Sequence, residues 1–94
     1  SLHDALPIFY ATPVQDLLAS AGITRLIFMG VTTEVCVQTS MREANDRGFE
    51  CLILSDGTAA TDWGNHLAAL KMVTMQHGVF GAHATADELL QALG

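Results

Sequence analysis

G-V-T-T-E-V-C-V, Gly30 to Val37, decides how the rest of the chain is read. The residues before it, R-L-I-F-M from Arg25 to Met29, form a short run with the pattern of a strand covered on both faces. The residues after it carry helical spacing from Glu34 to Arg47, with Val37, Met41 and Ala44 on one stripe and Gly48 as the stop. The octapeptide is therefore a strand-to-helix turn. It holds a cysteine in the first helical turn, where Val or Ala would make a helix at least as readily.

Outward from this turn the alternation continues. Upstream, Thr12-Pro13 reads as a cap and first helical residue, Val14, Leu17, Leu18 and Ala21 share a face, and Gly22 closes the helix. Downstream, Phe49 to Leu54 (F-E-C-L-I-L) is a second strand. Thr61 or Asp62 caps a longer helix to about His77, ended by Gly78. Val79-Phe80 makes a short last strand, and Thr85 caps a helix over Ala86 to Leu93. Such alternation implies an α/β fold, part of a doubly wound, Rossmann-like parallel sheet with flanking helices. Ligands of such sheets bind at the carboxyl ends of strands, which is where Gly30 to Cys36 falls.

Bulk properties narrow the function classes. The chain has 94 residues, half of them apolar, and a net charge of −6 with only four Lys and Arg. That balance argues against nucleic acid and against an anionic membrane surface. No apolar run reaches the roughly 18 residues of a membrane span. Cys36 and Cys51 form no C-x-x-C, no His pair completes a zinc site, and two thiols without a secretory signal suggest a reducing cytoplasm.

Free cysteines usually act as small core hydrophobes. Cys36 departs from that habit. It lies about 100° from the centre of the Val37–Met41–Ala44 stripe by helical geometry. Its flank is polar, with Thr39, Ser40 and Glu43. It also sits where free N–H groups and the helix dipole favour a thiolate. A thiol on such a turn is the cysteine counterpart of a nucleophile elbow, and the same amides suit an oxyanion.

The run I-F-M-G-V-T-T-E-V-C-V-Q-T-S-M-R-E-A-N-D-R, Ile27 to Arg47, resembles the nucleophile segment of the isochorismatase-like cysteine hydrolases, whose pattern is G-x-x-T-x-x-C-V-x-x-T after an apolar strand. The likeness continues through G-F-E-C-L-I-L-S-D-G-T-A-A. The resemblance implies that Cys36 is the nucleophile, that the Val31–Thr32 peptide is cis, and that the amides of Thr32 and Cys36 form the oxyanion hole. Thr33 and Glu34 read instead as residues that cap and charge the helix start. The resemblance further implies an Asp base far upstream and a Lys just ahead of F-Y-A-T (Phe9 to Thr12). The only lysine, Lys71, lies in a different element and is no candidate.

Within the family, the M-R-E-A-N-D-R-G helix and the stretch around G-N-H-x-A-A-L-K-M-V look most like the biuret and ureido-amide branch. There a Gln about 40 residues after the nucleophile contacts the substrate, the place of Gln76. Its amide offers a donor and an acceptor, although a Gln at a helix end also commonly faces solvent. The implied reaction is thiolate attack on a small amide or ureido carbonyl, with no cofactor and no metal required. Nicotinamidase-type or isochorismatase-type hydrolysis is the alternative. A nucleotide-binding module lacks its G-x-G-x-x-G or G-K-[ST], and the retained Cys36 argues against a purely structural relative.

The other marked residues read as structural. His66, His77 and His83 lack ligand spacing, with His66 the one placed near a helix start to line the site. Asp56 caps a turn and Cys51 is an inert core thiol. The helix from Leu67 to Met75 is apolar nearly all round, so burial on two sides and a homo-oligomer are expected. Ser1 to Ile8, S-L-H-D-A-L-P-I, back-translates codon for codon into the end of a common sequencing adapter. The expectation is a foreign segment joined to residues 9–94 as the C-terminal part of a single domain, inactive alone because the Asp and Lys lie outside it.

Overall fold

The computed structural model describes residues 8–94, so the adapter expectation falls almost wholly outside the described residues. The elements are α1 (Val14–Ser20), β1 (Arg25–Val31), a wide turn (Thr33–Val37), α2 (Gln38–Asp46), β2 (Glu50–Ala59), α3 (Trp63–Val73), the single turn α4 (Met75–Gly78), β3 (Ala82–Ala84) and α5 (Ala86–Leu93). The three strands form one parallel sheet in the order β1-β2-β3, with helices joining the strands. This is the expected α/β architecture. No helix among the described residues is long and apolar enough to cross a membrane.

The core sits against one face of the sheet. Val37, Met41 and Ala44 of the expected stripe are buried there with Cys51, Ile53, Leu70 and Val73. Phe9 and Phe49 close it at one end, their ring centroids 5.9 Å apart.

β1 departs from its expected double cover. Leu26 and Phe28 pack toward the core, but Ile27 and Met29 are 47% and 62% exposed. The reason is placement: α5 packs against β2 on the other face, and Ile27 is left lining the open groove between it and Leu89 and Leu93. α3 likewise buries one side only, through His66, Ala69, Leu70 and Val73, while Leu67 and Met72 stay exposed.

Three boundaries move for local reasons. α3 stops at Val73 rather than His77, because the Thr74 hydroxyl donates to the Leu70 carbonyl and the Phe80 amide donates to the Val73 carbonyl. Gln76 and His77 then take left-handed conformations at φ 52° and 62°. The last strand falls at Ala82–Ala84 instead of Val79-Phe80, since the Phe80 ring is held under the Arg42 guanidinium at 4.4 Å. β2 runs past Leu54 to Ala59 and spends Leu54–Gly57 where β1 spends Met29 alone, a bulge closed by Thr58 Oγ1 donating to the Leu54 carbonyl. That bulge carries Asp56 outward. It caps no turn, and its Oδ1 accepts the Ala86 amide at the start of α5.

Candidate functional site

β1 delivers the chain to its carboxyl end through Gly30, whose φ of +116° excludes other residues without strain. The next peptide, Val31–Thr32, is cis. Thr32 is extended and leads into a turn one residue wider than α-helical spacing. The Thr32 carbonyl accepts from both the Val35 and the Val37 amides at 3.2 Å, and the Gln38 amide reaches back to the Thr33 carbonyl. The reading from sequence expected a regular helix from Glu34. The extra width has a visible cause at each end: Thr33 is fully buried and held from α3, and Val37 is buried in the core. Oriented to satisfy both its ends, the Gln38 side chain donates to the Glu34 carbonyl at 3.1 Å and accepts from Arg42 at 3.3 Å. Cys36 lies between these fixed points and is exposed.

Thr33 does not cap the turn. Its hydroxyl pairs with His66 Nδ1 at 2.8 Å, and the two side chains are 0% and 2% exposed. His66 is set by the start of α3, where the Asp62 carboxylate caps the Asn65 amide. The Trp63 ring lies over the imidazole at 4.8 Å. The sequence reading missed this pair. Each residue stands in the first turn of a helix after a strand, but nothing periodic links positions so far apart.

Gln76 lies elsewhere. It lines a groove of about 450 Å³ with Arg42, Met72, Met75, Val79 and Phe80, and Cys36 is not part of that lining. A smaller hollow of about 230 Å³, lined by Glu34, Gln38, Asn65 and Met72 among others, runs beside the wide turn. Cys51 is buried in β2, with its Sγ facing the Met41 and Phe49 carbonyls, and burial pushes its thiol up to about 11. Among the described residues no group of three or more His, Cys, Asp or Glu side chains is arranged to hold a metal ion.

Comparison with known proteins matches residues 3–88 to the isochorismatase domain, a range that begins inside Ser1–Ile8. The ureidoacrylate amidohydrolase RutB of Methylobacterium radiotolerans is 38% identical over 50 residues, 53% of this chain and 19% of that protein. RutB of an Enterobacter species is 40% identical over 50 residues, 53% of this chain and 22% of that protein. The chain thus spans about a fifth of the length of these relatives. An isochorismatase-like hydrolase from Alkaliphilus metalliredigens superposes with a TM-score of 0.83 at 29% identity, over 92% of this chain and 46% of that one. A nicotinamidase from Staphylococcus aureus shares the fold with a TM-score of 0.76 at 23% identity, over 83% of this chain and 49% of that one. Matched across most of its length and folded as these structures are, the chain belongs to the isochorismatase family.

Proposed function

We propose that this chain carries the nucleophile segment of a cysteine-dependent amidohydrolase acting on a small linear ureido compound such as biuret. The carrying observation is the placement of Cys36: an exposed thiol on the wide turn at the carboxyl end of β1, held between the buried anchors Thr33 and Val37. The ureido class draws support from the ureidoacrylate amidohydrolases that match the chain. Ureidoacrylate and biuret share a terminal H₂N–CO–NH– group.

In this reading the Cys36 thiolate adds to the ureido carbonyl, forming a carbon–sulfur bond. The resulting oxyanion lies against the main-chain amides of Thr32 and Cys36. Collapse breaks a carbon–nitrogen bond, and the nitrogen leaves with a proton as ammonia or an amine. Water then attacks the thioester carbonyl, releases the acid and returns the thiol. Gln76 serves this reaction only for a substrate long enough to reach from Cys36 into the Arg42–Phe80 groove. The exposed Leu67, Met72 and Met75 of α3 and α4 support a homo-oligomer, which light scattering measures directly.

The test joins residues 9–94 to the N-terminal half of a ureidoacrylate amidohydrolase and follows ammonia release from biuret and ureidoacrylate. Turnover is expected to vanish in Cys36→Ala, and a carbamoyl or acyl mass is expected on Cys36 after rapid quenching. Turnover that survives Cys36→Ala overturns the reading.

A further inference from the structure

We infer that Thr33 and His66 are positioning residues for Cys36: the buried hydroxyl–imidazole contact holds the turn in its wide form and thereby sets the direction in which the thiol points. This rests on the reading of Cys36 as the nucleophile, and it names two side chains which that reading leaves without a role.

A turn of this width is uncommon, because regular α-helical hydrogen bonding competes with it. Something must hold it open, and the supports are few. The Thr32 carbonyl is shared by two amides, so the backbone itself does not choose between spacings. Val37 is fixed in the core on the far side of Cys36. On the near side the fixed point is Thr33, fully buried and bonded to His66 at 2.8 Å. His66 belongs to another element and is itself set by the Asp62 cap and the stacked Trp63 ring. Removing the contact leaves Thr33 free to slip by one residue into ordinary helical register. Val37 stays fixed in the core, so the slip is taken up between Thr33 and Val37 and re-aims Cys36 relative to the main-chain amides of the turn.

The contact works in either proton arrangement: the hydroxyl donates to a bare Nδ1, or Nδ1–H donates to the hydroxyl oxygen. A serine at position 33 preserves it, whereas a valine keeps the shape and loses it.

The test uses the chain as it stands, labelled with ¹⁵N, and iodoacetamide as the probe. The Cys36 alkylation rate is read by peptide mass spectrometry, with Cys51 as the internal reference for unfolding. Thr33→Val is expected to slow Cys36 about tenfold with Cys51 still protected, and Thr33→Ser is expected to restore the wild-type rate. Equal rates in Thr33→Val and wild type, or equal damage in Thr33→Ser and Thr33→Val, overturn the proposal. A second measurement needs no variant: alkylation of Cys36 in the wild-type chain is expected to shift the His66 ring ¹⁵N resonances. Unmoved resonances overturn the proposal even if Thr33→Val fails to fold. Failure of the functional reading looks different, since hydrolysis without Cys36 leaves both measurements intact.

Discussion

The two cysteines of this chain are chemically identical and physically opposed. Cys51 sits in the central strand, its thiol pushed up to about 11 by burial and its sulfur facing carbonyls of Met41 and Phe49. Cys36 sits fifteen positions earlier on a surface turn whose width is set by its neighbours. One environment suppresses the thiolate and denies access, and the other presents the sulfur to solvent. The lesson is that a cysteine's role is written in what immobilises the backbone around it. Cys51 is immobilised by close packing. Cys36 is immobilised by anchors on either side of it while its own side chain stays free.

The harshest way to break the Cys51 environment is Gly81→Ala. A Cβ at Gly81 would stand 2.2 Å from the Cys51 carbonyl oxygen and 2.7 Å from the Met41 methyl, and the backbone there has φ +142°. Rigid backbone cannot yield as a side-chain tip can, so a loss of about 3 kcal/mol or more is expected in urea denaturation. A loss under 1 kcal/mol, on the order of a surface change, would show that this packing is loose.

The thiols can next be set against each other directly. With its thiol near 11, Cys51 is about one part in a thousand thiolate at pH 8. Burial also shields it, so iodoacetamide should label Cys36 at least about 100-fold faster. Comparable rates in the folded chain would erase the contrast.

Much of this contrast was legible in the sequence. The stripe Val37, Met41 and Ala44 located the core side of α2, and the polar flank set Cys36 apart from it. The F-E-C-L-I-L run placed Cys51 in a strand, and Thr85 caps α5 as expected, with Glu88 reciprocating. What escaped was mostly non-local. The wide turn depends on Thr33 meeting His66, and the shift of the last strand depends on Arg42 holding Phe80. The first two are contacts between distant positions that override a local preference, and no periodicity encodes them; the early end of α3 is partly local, since Thr74 donates to the Leu70 carbonyl four residues back while Phe80 folds back to Val73. The one-sided cover of β1 escaped for a related reason, since an apolar run reports what a strand could bury and not which helix arrives.

Alkaline pH offers a gentler probe of the same contrast. Burial raises the Cys51 thiol from an ordinary 9.0 to about 11, so the unfolded chain loses this proton first. The stability it contributes is fully present below pH 9 and declines as pH rises toward 11, by about 2–3 kcal/mol at most. Other groups titrate in that window, so the comparison is between wild type and Cys51→Ala. The wild-type urea midpoint should fall more steeply from pH 8.5 to pH 10.5, and parallel slopes would contradict the raised thiol.

Serine substitution gives the smallest pair of effects and the sharpest contrast per atom changed. Each replacement exchanges one sulfur for one oxygen. At position 51 the hydroxyl enters a buried site, where the carbonyls facing it are those of Met41 and Phe49. Neither is placed for the shorter reach of an O–H group, given sulfur distances of 3.8 Å and 3.5 Å. Cys51→Ser should therefore cost about 1–3 kcal/mol, the range for a buried hydroxyl with imperfect partners. At position 36 the side chain is solvated before and after, so Cys36→Ser should change stability by less than about 0.5 kcal/mol. Paired urea titrations read both values. A Cys36→Ser cost as large as that at position 51 would mean that the sulfur itself helps hold the turn, and the division between anchors and a free nucleophile would have to be redrawn.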